Sequence, residues 1–101
     1  MYNPDMKLQE KAKAFAALSD PMRLRLVEEL GLSGEVCGKE LAAKLEASVA
    51  LVSHHAKVLE DAGLITSRKD GQFHRFSINR AVFEKLFDID QFPGREYCKE
   101  N

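Results

Sequence analysis

The sequence predicts a mainly α fold with one small β-hairpin, in the order of a winged helix-turn-helix. Two observations carry that prediction. A short helical stretch, "GKELAAKLEA", is separated from a second one, residues 49 to about 62, by only about three residues. So short a link forces the two helices to cross steeply. Directly after Gly63 the apolar period changes, and "LITSRKDGQFHRFSI" reads as two strands around Asp-Gly, a strong short-range hairpin signal.

The elements follow in order. Residues 6 to 18 set Leu8, Ala12 and Phe15 at helical spacing. In "LSDPMRLRLVEEL" Asp20 suits an N-cap and Pro21 the first helical position. Met22, Leu26, Val27 and Leu30 form the inward face of this second helix, which Gly31 and Gly34 close. "EVC" is short enough to be a single extended pair. Leu41, Ala42 and Leu45 face inward from the third helix, and Ser48 caps the fourth. The hairpin must lean on the helices, since two strands alone are marginal in water. Asn79 caps a last helix, "RAVFEKLFDI", with Val82, Phe83, Leu86 and Phe87 apolar. The whole chain reads as one domain, with a core over residues 6–88. The tail over 89–101 is broken by Pro93-Gly94.

Composition narrows the function classes. A chain of 101 residues buries a smaller share of its surface than a larger one, and pairing with a second copy restores burial. No apolar run approaches the roughly 20 residues that cross a bilayer, and the polar start "MYNPDMKLQEKAK" is unlike a signal peptide. The expected compartment is the cytoplasm, with no membrane partner. Cys37 and Cys98 form neither a disulfide framework nor a C-x-x-C site. The sequence has no Gly-rich phosphate loop, nucleophile elbow or acid pair in a plausible cleft, so an enzyme is not expected. A net charge of −1 argues weakly against nucleic acid, which leaves the distribution of charge to decide.

The adjacent His54 and His55 test that distribution. Successive helical residues turn about 100°, so the two side chains do not share a face. Neighbouring positions chelate one metal poorly, because useful spacings are three and four. No third group orients His54 against Ser53, as a nucleophile-base pair requires. Val52, Ala56 and Leu59 share an arc that must face the core, and His55 is expected half-buried against the wing or a neighbouring helix. Ser53, His54 and Lys57 share the outward arc. Ser and His reach base edges and phosphates, and Lys neutralises a phosphate. The bland alternative is an ordinary solvated helix face. The wing adds Arg68 and Lys69 near its tip, with His74 and Arg75 on the return strand. Residues 53 to 75 are mildly basic, so two copies would have to act together.

"ALSDPMRLRLVEEL", "KELAAKLEASVALVSHHAKVLEDAGLI" and "RKDGQFHRFSI" resemble the ArsR/SmtB family of bacterial winged-helix repressors. The likeness runs from about residue 12 to 87. It implies a homodimer that binds double-stranded operator DNA at an inverted repeat and lets go when an effector binds. It implies a dimer interface on the first and last helices, here Leu8, Ala12, Phe15, Val82, Phe83, Leu86 and Phe87. Ser53 and His54 match family residues that approach bases. The DNA surface is completed by Ser48, Val49, Ala50, Lys57, Arg68, Lys69 and Arg75. Where the family often has Gln and a small polar residue, this chain has Val49 and Ala50. Readout there would use a thymine methyl or DNA shape.

The same resemblance leaves the effector open. In "EVCGKEL" Cys37 matches the first thiol of the arsenite-sensing pattern, and Lys39 replaces the second. Soft metals and metalloids want two or three thiolates. The zinc-sensing branch uses Asp and His in the last helix, whereas residues 80 to 88 hold Glu84 and Asp88 and no histidine. Cys98 is similar to the second thiol of members that sense oxidants or sulfur species. Cys37 and Cys98 are therefore the effector or redox candidates, a thiolate-bound metal or metalloid is the one cofactor considered, and two idle thiols are the alternative. A rival reading of the whole chain is a winged helix that docks protein and binds no operator. It draws support from the acidic balance and from the apolar Val49 and Leu51.

Overall fold

The computed structural model describes residues 6–87. The elements are α1 (Leu8–Ala17), α2 (Pro21–Ser33), β1 (Val36–Cys37), α3 (Gly38–Leu45), α4 (Val49–Asp61), β2 (Ile65–Asp70), β3 (Phe73–Ile78) and α5 (Arg80–Leu86). The order is that of a winged helix-turn-helix, as the spacing of α3, α4 and the hairpin predicts.

Local chemistry starts and stops the helices. The Asp20 carboxylate accepts from the Arg23 amide at 3.1 Å, with Pro21 in the first turn. The Ser48 hydroxyl accepts from the Leu51 amide at 3.0 Å and opens α4. Gly63, at φ 82°, lets the chain turn out of α4 into the wing. Three residues join α3 to α4, and Glu46 takes the left-handed conformation at φ 55° to make so tight a link.

Three expectations change. The second helix passes through Gly31 and ends at Ser33, so Gly34 alone, at φ 82°, closes it. The sheet has three strands in the order β1-β3-β2, because Val36 pairs with Phe76 and Cys37 with Arg75. The third change concerns Asn79, whose side chain does not cap α5. It donates to the Gly63 carbonyl at 3.0 Å, while its backbone amide donates to the Leu64 carbonyl at 2.9 Å. The start of α5 is thus fastened to the end of α4.

The hairpin register pairs Asp70 with Phe73, which puts Gly71 and Gln72 at the turn. Gly71 has φ 64° and no other turn residue is positive, as a two-residue turn with Gly first requires. The core gathers every helix onto the inner face of the sheet. Leu26, Leu30, Val36, Leu41, Val52, Leu59, Leu64 and Ile65 are its largest fully buried side chains. Among the described residues no polar side chain is buried, so apolar burial alone drives the packing. No helix among them is long and apolar enough to cross a membrane.

Candidate nucleic-acid interface

Helix α4 is held on its inner side by Val52, Ala56 and Leu59, all buried. That fixes its rotation and turns Ser53, His54 and Lys57 outward, where all three are exposed. His55 is half-buried, and the Arg23 guanidinium donates to its Nδ1 at 3.2 Å. Arg23 also donates to the Ala17 carbonyl at 2.6 Å. Since arginine only donates, His55 carries its own proton on Nε2. His55 therefore belongs to the α2–α4 joint, and His54 alone of the pair faces solvent.

The wing lies beside this helix. The Ser67 hydroxyl donates to the Glu60 carboxylate at 2.8 Å and ties β2 to α4. Between them runs a groove of about 360 Å³, lined by Lys39, Val49, Ser53, Lys57, Gln72 and His74 among others. Lys39 and Gln72 join the surface only through the fold. Lys39 stands in the first turn of α3, which the pairing of β1 with β3 brings against the wing.

Strand alternation divides the wing's cations. Phe76 is buried on the inner face, and its cross-strand partner Ser67 shares that side. Lys69 and His74, two positions away, lie on the same face. Arg68 and Arg75, also cross-strand partners, must face the other way. Both are engaged there. Arg68 donates through Nε and Nη2 to the two oxygens of Glu35, at 2.7 and 2.8 Å. Arg75 Nε donates to Asp70 at 3.0 Å. The Arg68 guanidinium holds the Glu35 carboxyl below the usual carboxylate range, and Glu35 raises Arg68 in return. Lys57 makes a looser pair with Asp61, one helical turn away, at 3.3 Å. Lys69 is exposed and makes no ion pair among the described residues.

The remaining candidates distribute as follows. Ser48, Val49 and Ala50 are exposed at the open end of α4. The Ser48 hydroxyl is used as a cap acceptor, which leaves its proton free to donate. Leu8, Ala12 and Phe15 lie exposed on α1. Phe87 is 60% exposed and sets its ring edge-on to Phe15 at 5.8 Å. Phe83 stacks on Phe87 at 6.2 Å. Val82 and Phe83 pack partly on the core, and Leu86 belongs to it. The open part of this surface is therefore Leu8, Ala12, Phe15 and Phe87. Cys37 is half-buried at the junction of β1 and α3, and its side chain makes no capping hydrogen bond. Cys98 lies outside the described residues. Among the described residues no group of three His, Cys, Asp or Glu side chains is placed to hold a metal ion.

Comparison with known proteins agrees with this architecture. Residues 20–67 match the family described as "Bacterial regulatory protein, arsR family". An arsenical resistance operon repressor of Staphylococcus aureus is 35% identical over 98 residues, covering 93% of each chain. A cadmium resistance regulatory protein homologue from the same organism is 36% identical over 80 residues, which are 75% of this chain and 66% of that one. The homodimeric winged helix-turn-helix domain of a possible ArsR-family regulator from Mycobacterium bovis superposes with a TM-score of 0.72. It is 22% identical, and the match covers 93% of this chain and 86% of that one. A winged helix-turn-helix whose sequence aligns with an arsenical repressor over nearly its whole length is a regulator and not an enzyme: this chain belongs to the arsR family of bacterial regulatory proteins.

Proposed function

We propose that two copies of this chain bind double-stranded operator DNA at an inverted repeat, in the cytoplasm, and repress transcription until an effector releases them. One observation carries the reading. Ser53 and Lys57, of the exposed polar arc of α4 that also carries His54, line a groove whose other wall is the wing, with Lys39 and His74 beside them. That concavity is flanked by cations and presents base-reading side chains at its rim, which suits a duplex edge. In this reading Ser48, Val49 and Ala50 approach the bases with Ser53 and His54, while Lys57 and Lys69 meet phosphates. Arg68 and Arg75 belong to the same wing and are the cations already engaged by carboxylates. The exposed aromatic surface of Phe15 and Phe87 supports pairing through α1 and α5.

Cys37 and Cys98 are proposed as the effector site. The relatives named for arsenical and cadmium resistance support soft-ligand chemistry. Such a ligand needs more than one thiolate, so Cys37 requires a second donor from Cys98 or from the other copy. An electrophoretic shift with the DNA upstream of the chain's own gene, beside an unrelated duplex, tests the main reading. Retardation of the first at lower protein concentration is expected. Equal retardation of both, or of neither, would favour a winged helix that docks protein.

A further inference from the structure

The outer face of the sheet carries an arrangement that DNA binding does not require. Arg68 sits on β2 and Glu35 immediately before β1, the two edge strands of the sheet. Their bidentate pair therefore spans the middle strand β3 and joins residues 33 positions apart. Next to it Arg75 holds Asp70. The geometry of the first pair is that of a guanidinium on a phosphate, two parallel N–H donors to two oxygens. Glu35 thus occupies the site on Arg68 that a DNA phosphate would use. Val36, paired with Phe76, anchors Glu35, so the carboxylate is presented by the sheet and not by a wandering loop.

We propose that Glu35 acts as a built-in phosphate competitor, lowering the affinity of the wing for DNA of any sequence by holding Arg68. The inference rests on the DNA-binding reading above. Sequence-independent binding grows with each phosphate neutralised, and each adds about −0.9 to the salt slope. Withdrawing one arginine removes one such contact from every complex, cognate or not, while contacts to bases through Ser53 and His54 are untouched. The pair is exposed, with side chains 58% and 37% accessible, so it is weak enough for competition to be real.

The test compares wild type, Glu35→Gln, Arg68→Gln and the double variant on a random duplex, by fluorescence anisotropy over a range of salt. Glu35→Gln should bind the random duplex roughly fivefold more tightly near 0.15 M salt, with a slope steeper by about one, as expected for one added phosphate contact. Arg68→Gln alone should stay close to wild type, because its cation is already occupied. In the Arg68→Gln background the Glu35 effect should vanish. An unchanged slope in Glu35→Gln overturns the proposal, and so does a gain that persists without Arg68. If Glu35→Gln lowers stability, the Arg68→Gln result still decides, since a large loss there means that Arg68 contacts DNA unopposed. Failure of wild type to bind any duplex at low salt would instead defeat the DNA-binding reading itself.

Discussion

His55 on α4 accepts a hydrogen bond from Arg23 on α2 at 3.2 Å, while His54, its chain neighbour, projects into solvent. The two rings stand edge to face at 5.3 Å, so one dipeptide serves both the inside and the outside of the domain.

Replacing each histidine by alanine should separate those two roles. His55→Ala leaves the Arg23 guanidinium short of a partner and should cost about 1 kcal/mol of stability, read by urea unfolding. His54→Ala should leave unfolding unchanged and cost roughly 1–3 kcal/mol of discrimination between operator and random DNA. Intact discrimination in His54→Ala would remove it from the reading surface.

Pairing of two chains is tested at the aromatic edge. Light scattering at micromolar concentration should return twice the 11.4 kDa chain mass. Phe87→Asp and Phe15→Asp place charge on the open apolar surface and should give monomers that keep their helical signal. A wild-type monomer would count against repression, because one mildly basic half-site holds an operator poorly.

Acid should weaken the fold through two named carboxylates. The Arg23 amide, donating to Asp20, holds that carboxyl below its usual range, and Arg68 does the same for Glu35. A group whose folded pKa is depressed stabilises the fold above its ordinary unfolded value. The benefit is lost as the pH falls from there through the lowered folded value. Both groups are exposed, so the effect should be modest, and salt should weaken the Glu35 part further. Thermal midpoints across the acid range should fall less steeply in Asp20→Asn, which keeps a capping side chain, and in Glu35→Gln. Parallel curves for wild type and both variants would contradict this.

Thiol chemistry is checked by DNA release. Arsenite, a disulfide-forming oxidant and a persulfide donor should each be tried on wild type, Cys37→Ser and Cys98→Ser. Release that disappears in both variants is expected for a shared site. Identical behaviour of all three proteins would rule the thiols out, and release by zinc alone would point to other ligands.

The parts of this protein legible in the sequence were those with a period or a local rule. The helix faces of Leu26 and Leu30, of Leu41, Ala42 and Leu45, and of Val52, Ala56 and Leu59 repeat at helical spacing, and all are buried. Asp20 and Ser48 cap as their residue types suggest. What escaped depends on distance along the chain. Two residues, Val36 and Cys37, are too short a strand to show alternation, so "EVC" could be read as an extended pair but its place in the sheet beside β3 was invisible. With it went the placement of Lys39 against the wing and the Glu35–Arg68 pair. Asn79 looked like a cap because asparagine often is one, but a nearby carbonyl, that of Gly63, won its amide. Gly31 looked like a stop and is carried through by the helix on either side of it. The division of Arg68 and Arg75 from Lys69 and His74 was available in principle from strand alternation, once the register was known.

The two hydrogen bonds that join Asn79 to Gly63 and Leu64 also close the base of the wing. Chain enters and leaves it at one fastened neck, so whatever is spliced in or out at the Gly71–Gln72 tip changes the loop without moving the neck. Space around Gly71 is open as well. Lengthening a loop costs little once its ends are held together. Tips of different length and composition are therefore exchangeable on this frame, and α4 and α5 keep their mutual bearing while the tip between them is swapped.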